Sequence, residues 1–119
     1  MNTLSLMTQS YQYLYAIETS LRKTIAAELL AAYGTAWEHR TQEKHAFATC
    51  YYHELIPYFA KYPPLQKFFT EMERKQLYQL TPIRNKICHM KNLKEKEFKQ
   101  LKNCYQLVES RLTTLKFIQ

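Results

Sequence analysis

The chain has 119 residues with one Gly, four Pro and no Asp, and its abundance of helix formers predicts a single all-α domain and argues against an all-β fold. Residues 1–60 carry a net charge of −1, whereas residues 61–119 carry thirteen Lys or Arg against five Glu, a net of +8. This basic half indicates either an anionic partner such as RNA, DNA or a nucleotide, or a solvated lysine-rich surface, and charge alone does not separate the two.

The first helix is predicted over about residues 9–33, after a loose start at residues 1–8. Its apolar residues step by three or four positions: Leu14, Ile17, Leu21, Ile25, Leu29 and Tyr33. Gly34 is the expected left-handed stop. Glu18 and Arg22 lie one position off the apolar stripe, so they form either a surface ion pair or part of a polar pocket beside a neighbouring helix.

Prolines are expected to interrupt the helices in the middle of the chain. Residues 38–44 are polar and predict a connection, and a second helix is expected from about His45 with an interruption at Pro57. The apolar residues of this second helix are Phe47, Tyr51, Leu55 and Phe59. Pro63-Pro64 is a firm break, and a third helix opens near Pro64. Its apolar residues are Leu65, Phe68, Phe69, Met72 and Leu80.

Thr81-Pro82 predicts the N-cap and first residue of a short helix, although Pro82 could instead kink one long helix. Lys91 to Lys94 is expected to be a turn, and the last helix runs from about residue 95 to residue 115. Its apolar residues are Leu101, Tyr105, Val108, Leu112 and Leu115. The expected architecture is an up-and-down bundle of four main helices plus a short helix, within one domain over residues 1–119 whose core spans about 9–117.

The most informative stretch is residues 83–90, within the short helix. At about 100° per residue, Arg84, Asn85 and His89 fall within an arc of about 140°, and the apolar residues lie on the other side. Those apolar residues are Ile83, Ile87 and Met90. Arg offers a rigid fork for phosphate, and His exchanges a proton near neutral pH. The polar face is either ordinary solvated surface or a set of groups that converge on a phosphodiester.

The residue spacing gives little support for a metal site or a phosphate-binding loop. Cys50 with His53, and Cys88 with His89, lack the spacing of a zinc site, and a single Gly cannot form a phosphate-binding loop. The remaining histidines are interpreted as surface residues: His39, His45 and His53. We therefore expect neither metal nor cofactor. The three Cys cannot pair completely, and neither a secretory signal nor a membrane span of ~20 apolar residues is apparent, so the expected location is the cytoplasm.

The pattern Arg84-Asn85-x-x-x-His89, ahead of a final amphipathic helix, resembles the R-x(4–6)-H signature of the HEPN superfamily (higher eukaryotes and prokaryotes nucleotide-binding), whose common form is R-N-x-x-x-H. The resemblance covers about residues 11–110 and favours the Abi-like branch. The further segments that carry it are Ile17-Glu18-x-x-Leu21-Arg22, Leu29-x-x-x-Tyr33-Gly34-x-x-Trp37, Leu77-x-x-Leu80-x-x-Ile83-Arg84-Asn85, and the region of Leu93 and Glu95.

This resemblance implies an all-α bundle that homodimerises and brings two motifs into one cleft. Active members are metal-independent endoribonucleases of toxin–antitoxin, abortive-infection or CRISPR defence systems, and they leave a 2′,3′-cyclic phosphate. By the matching positions, Arg84 would hold the scissile phosphate, His89 would act as general acid or base, and Asn85 would orient the imidazole. Glu18 and Arg22 would lie near the cleft.

The partners that the resemblance implies are RNA, a second copy of the chain and an antitoxin or regulatory protein, with no membrane. Inactive members of the superfamily serve as binding or assembly modules. The alternative function is therefore a module that binds RNA, a nucleotide or a protein without cleaving anything.

Overall fold

The computed structural model describes the backbone of residues 2–118 and the side chains of residues 2–112. The helices in chain order are α1 (Thr3–Tyr33), α2 (Trp37–Thr41), α3 (Tyr52–Leu55), α4 (Tyr58–Lys61), α5 (Glu71–Tyr78), α6 (Thr81–Cys88) and α7 (Glu95–Ile118), with 3₁₀ turns at Phe47–Thr49 and Pro63–Leu65. These described residues contain no strand, so the all-α prediction is confirmed.

The two long helices, α1 and α7, form the most extensive helix–helix contact of the fold. Tyr13 of α1 contributes to it, with its ring centroid 4.6 Å from that of Tyr105 and 5.9 Å from that of Phe98. Helices α2, α3 and α6 and the 3₁₀ turn at Pro63–Leu65 also contact α1, which therefore lies at the centre of the core. Its predicted apolar stripe is buried: Leu14, Ile17, Leu21, Ile25 and Leu29.

The first helix begins at Thr3, so the prediction of a loose start over residues 1–8 is wrong. Asn2 is the N-cap, and its Oδ1 accepts a hydrogen bond of 2.8 Å from the backbone N–H of Ser5. That bond satisfies one of the N–H groups that a helix start leaves unpaired. The helix ends at Gly34 as predicted, but the glycine adopts φ 84° and ψ −176°, a positive-φ extended conformation and not the left-handed helical one.

The predicted second helix is wrong as a continuous element, and the connection predicted before it contains α2. Cys50 and Tyr51 have extended backbones, with ψ of 155° and 162°, so a 3₁₀ turn precedes them and α3 begins only afterwards. The third helix begins at Glu71 and not near Pro64, because Thr70 caps it by accepting a 3.2 Å hydrogen bond from the Glu73 N–H.

The predicted short helix is confirmed as a separate element, α6. Its N-cap is Leu80, one residue earlier than predicted, and the Thr81 hydroxyl instead donates a 2.7 Å hydrogen bond to the carbonyl of Tyr78. Helix α7 begins at Glu95 as predicted, and three of its predicted apolar residues are buried: Leu101, Val108 and Leu112. The side chain of Leu115 lies outside the described residues. Over the part of the chain that is described, no helix has the length and apolar character needed to cross a membrane.

Candidate functional site

Helix α6 packs against both α1 and α3 and presents the predicted motif. Ile83 and Ile87 are buried against the core, whereas Arg84 is half-buried and Asn85 and His89 are exposed. The division into an apolar and a polar face, predicted from a 3.6-residue repeat, is therefore correct for these five residues.

Met90 is an exception, because it was predicted on the apolar face but is 85% exposed. The helix ends before it: His89 is the C-cap, and Met90 adopts a left-handed backbone with φ 57°. The Met90 N–H donates 3.0 Å to the Ile87 carbonyl, and the Lys91 N–H donates 2.8 Å to the Lys86 carbonyl. These two bonds form a Schellman motif, which usually has glycine where Met90 stands.

An open cavity of about 250 Å³ lies between α3 and α6. Its lining combines aromatic, hydroxyl, guanidinium and amide groups: Tyr51, Tyr52, His53, Thr81, Arg84 and Asn85. The volume falls below the roughly 300–1,000 Å³ of pockets that enclose a whole drug-sized ligand. The cavity therefore suits one small planar or anionic group of a larger molecule.

The guanidinium of Arg84 is nearly unpaired inside this cavity. Among the described residues it forms no ion pair, and its single hydrogen bond runs from Nη1 to Oδ1 of Asn85 at 3.5 Å, the long limit for such a bond. Its Nε is buried and has no acceptor within that part of the chain. Since a guanidinium has five N–H donors, most remain available to an anion.

His89 does not line this cavity. It lies at the C-terminal end of α6, where its backbone N–H donates a 3.1 Å hydrogen bond to the carbonyl of Asn85. His89 is five positions after Arg84, which corresponds to a rise of about 7.5 Å along a helix. The structure therefore brings Arg84 and Asn85 together in the cavity and leaves the imidazole of His89 exposed at the end of the same helix.

Glu18 and Arg22 form the predicted i,i+4 ion pair, with 3.9 Å between Arg22 Nη2 and Glu18 Oε1. Neither residue lines the cavity. Arg22 instead donates 2.9 Å to the carbonyl of Phe47 and 2.6 Å to the carbonyl of Cys50. Because Cys50 directly precedes the cavity residue Tyr51, Arg22 supports the cavity through the backbone.

The sequence did not predict a site role for the two exposed aromatic residues of the cavity, Tyr51 and His53. His53 was rejected as a zinc ligand with Cys50 and interpreted as a surface residue, and Tyr51 was predicted to lie on an apolar helix face. Both are exposed and line the cavity, and their rings stack with centroids 5.9 Å apart and an interplanar angle of 12°. No local spacing could have identified them, because they reach α6 only through the extended backbone at residues 50 and 51.

A second, apolar surface begins where α6 ends. This groove has a volume of about 500 Å³ and runs between the start of α1 and the end of α6. Its lining residues are Leu4, Met7, Thr8, Tyr11, Gln12, Ile87 and Met90. Since Met90 follows His89 directly, the groove and the imidazole are neighbours in the chain.

Comparisons of the chain with protein-family models, with curated proteins and with solved structures return no match. Within residues 2–118, as far as they are described, no three His, Cys or Glu side chains gather in a way that would hold a metal ion.

Proposed function

We propose that this protein is a metal-independent endoribonuclease of the HEPN type, a toxin or abortive-infection-like defence enzyme acting on RNA in the cytoplasm. The observation that carries the proposal is the half-buried guanidinium of Arg84, which faces an open cavity without a carboxylate partner among the described residues. Only the Nε of Arg84 is buried, and the unused N–H donors of a partly exposed guanidinium favour an anionic ligand.

In the proposed reaction, Arg84 binds the scissile phosphate. The terminal nitrogens of a guanidinium can donate two parallel hydrogen bonds to phosphate oxygens, and they stabilise the charge that builds up when a fifth oxygen approaches phosphorus. The partial burial of Arg84 strengthens this attraction relative to a fully solvated lysine.

His89 moves the protons. The ribose 2′-oxygen attacks phosphorus as its proton passes to a base, the bond from phosphorus to the 5′-oxygen breaks as that oxygen gains a proton, and a 2′,3′-cyclic phosphate remains. An exposed imidazole can accept the proton in one transfer or donate it in the other. Asn85 links the two groups, because its side chain contacts Arg84 and its backbone carbonyl holds the His89 backbone.

A homodimer would supply the second imidazole that the reaction can use. The groove beside Met90 is the proposed interface, with a second copy of this chain as its occupant. Apolar residues of α1 that are exposed or only partly buried recur at intervals typical of a helix-packing face: Leu4, Met7, Tyr11 and Tyr15. Pairing of two copies across this groove would join the ends of the two α6 helices, each of which carries a His89.

The alternative function is a binding module without catalysis. It is favoured by the absence of His89 from the cavity that contains Arg84 and Asn85. Such a module would bind RNA, a nucleotide or a partner protein through the cavity, and substitution of His89 would leave that binding unchanged.

The experiment is cleavage of a labelled single-stranded RNA by purified protein in EDTA. We expect the parent to cut, Arg84→Ala and His89→Ala to lose activity by a factor of about 100 or more, and Asn85→Ala to be impaired. His39→Ala, an exposed histidine of α2, is the matched control and should cut like the parent. Equal cutting by the parent and by folded Arg84→Ala and His89→Ala variants would refute the proposal.

A further inference from the structure

The cavity beside Arg84 has an aromatic side that the proposed cleavage reaction does not use. Tyr51 and His53, here called the platform, stack on each other at the edge of the cavity opposite α6. Tyr51 is 60% exposed, so this ring offers surface to a ligand instead of contributing it to the core. A stacked, solvent-facing pair beside a guanidinium combines the two chemistries that bind a nucleotide.

The backbone under the platform is held from two directions. Arg22 of α1 anchors the carbonyls of residues 47 and 50. The Tyr51 N–H donates a 2.9 Å hydrogen bond to Oε1 of Glu54, whose other oxygen pairs with the His45 ring. The Tyr51 N–H and His45 together hold the pKa of Glu54 below its ordinary value, so this carboxylate remains charged and keeps its acceptors.

Tyr52, between the two platform residues in sequence, fixes them to α5. Its hydroxyl donates a 2.6 Å hydrogen bond to the carbonyl of Leu77, and the side chain is buried. Burial raises the pKa of Tyr52 well above its ordinary value, and nearby Cys104 and Glu18 add to the shift, so the hydroxyl stays protonated. The backbone that carries the platform is therefore fixed before a ligand binds.

We propose that the platform is a base-binding subsite, in which one unpaired base of single-stranded RNA stacks on Tyr51 and His53 while Arg84 binds an adjoining phosphate. Thr81 and Asn85 complete the lining and offer a hydroxyl and an amide to the edge of the base or to the ribose. That this base lies next to a cleaved bond rests on the proposed ribonuclease function, whereas the stacking itself does not.

The composition of the cavity favours a nucleotide over an acidic peptide. An acidic side chain would pair with Arg84 but would leave the aromatic faces unused. An unpaired base presents a flat face for stacking and polar atoms at its edge, and both have counterparts in the lining. Duplex RNA would not fit this role, because its bases are already stacked and cannot enter.

The test measures binding without cleavage. In a His89→Ala background, fluorescence anisotropy gives the Kd of a labelled single-stranded RNA of about eight nucleotides, a typical length for one such site. We expect Tyr51→Ala and His53→Ala to raise Kd on the order of tenfold each, the usual effect of removing a base–aromatic contact. Tyr51→Phe and His53→Phe should bind like the parent, since each retains a flat ring.

Tyr78→Ala is the matched control, because Tyr78 is exposed on α5 and does not line the cavity. A second measurement places abasic sites along the RNA one at a time. One abasic position should weaken binding to the His89→Ala protein about tenfold, and the same position should have no further effect once Tyr51 and His53 are both Ala.

Three results would overturn the proposal. The first is an unchanged Kd for both alanine variants, and the second is a loss of RNA affinity in His53→Phe as large as in His53→Ala. The third is competition for RNA binding by an acidic peptide but not by free nucleotide.

The outcome of this test can be distinguished from that of the ribonuclease proposal. Base-dependent binding by a parent that never cuts supports the subsite and contradicts the nuclease. A cutting parent whose KM and cleavage position survive Tyr51→Ala and His53→Ala contradicts the subsite alone.

Discussion

Nη1 of Arg84 lies 3.5 Å from Oδ1 of Asn85, and this long bond joins adjacent residues of one helix. It therefore ties α6 to no other element. The buried Nε of Arg84 has no acceptor among the described residues. Leaving a buried donor without a hydrogen bond lowers the free energy of unfolding by about 1–3 kcal/mol. Arg84 thus has a weak role in holding the fold together, and its guanidinium is available for a ligand.

The first prediction separates the ligand role of Arg84 from a structural role. Arg84→Met keeps the apolar stem but removes the orphaned donor, so we expect the free energy of unfolding to stay the same or rise by about 1 kcal/mol, while RNA cleavage is lost. Arg84→Lys should also lose cleavage, because an ammonium lacks the planar fork. Urea denaturation and the cleavage assay measure the two effects, and a loss of more than about 2 kcal/mol in Arg84→Met would contradict this account.

The second prediction concerns Arg22, which anchors two backbone carbonyls ahead of the platform. Arg22→Leu should destabilise the protein by about 3 kcal/mol, because two charge-assisted hydrogen bonds disappear and the Cys50 carbonyl loses its donor. Glu18→Gln is the control: it alters only the 3.9 Å ion pair and should change stability by less than about 0.5 kcal/mol. An equal loss of stability in the two variants would show that Arg22 stabilises the protein through the ion pair and not through its hydrogen bonds to the backbone.

The third prediction concerns the helix end that places His89. Met90 occupies a left-handed position at φ 57°, where a side chain costs about 1–2 kcal/mol relative to glycine. Met90→Gly should therefore be more stable than Met90→Ala by about 1 kcal/mol. Both variants lose the same groove contact, so their difference in thermal or urea denaturation isolates the backbone effect. A more stable alanine variant would mean that the Schellman geometry is not adopted.

The fourth prediction concerns the proposed homodimer. Tyr11 is 61% exposed and lines the groove, so Tyr11→Glu places a charge in the proposed interface and should convert a dimer into a monomer by sedimentation analysis. Met72→Glu is the matched control, since Met72 is 83% exposed on α5 and does not line the groove. A monomeric parent at tens of micromolar, or a dimer that both variants preserve, would remove this part of the proposal.

The sequence predicted the fold well where the apolar repeat was long, and less well where a single contact determines the backbone conformation. The repeat from Leu14 to Leu29 correctly identified the core of α1, but one side-chain cap at Asn2 added six residues to its start. The spacing of Phe47, Tyr51 and Leu55 predicted one helix, yet the backbone between them is extended at residues 50 and 51. Arg22, 28 positions from Cys50 in the sequence, helps to hold that conformation, and no local pattern contains such a contact.

The candidate site was likewise predictable only in part. Helical spacing placed Arg84 and Asn85 on one polar face, as the structure has them. It also treated His89 as part of a regular helix, whereas the helix ends there and His89 is its C-cap. His53 joins the cavity through a tertiary contact of α3 with α6, which a reading of neighbouring positions cannot detect.

The most direct test of the central claim is analysis of the RNA ends that the purified protein leaves in EDTA. We expect new 2′,3′-cyclic phosphate ends with the parent, none with Arg84→Ala or His89→Ala, and none when the ribose at the cut carries no 2′-hydroxyl. Cleavage of that 2′-deoxy substrate, or cyclic-phosphate ends made equally well by the His89→Ala protein, would contradict it.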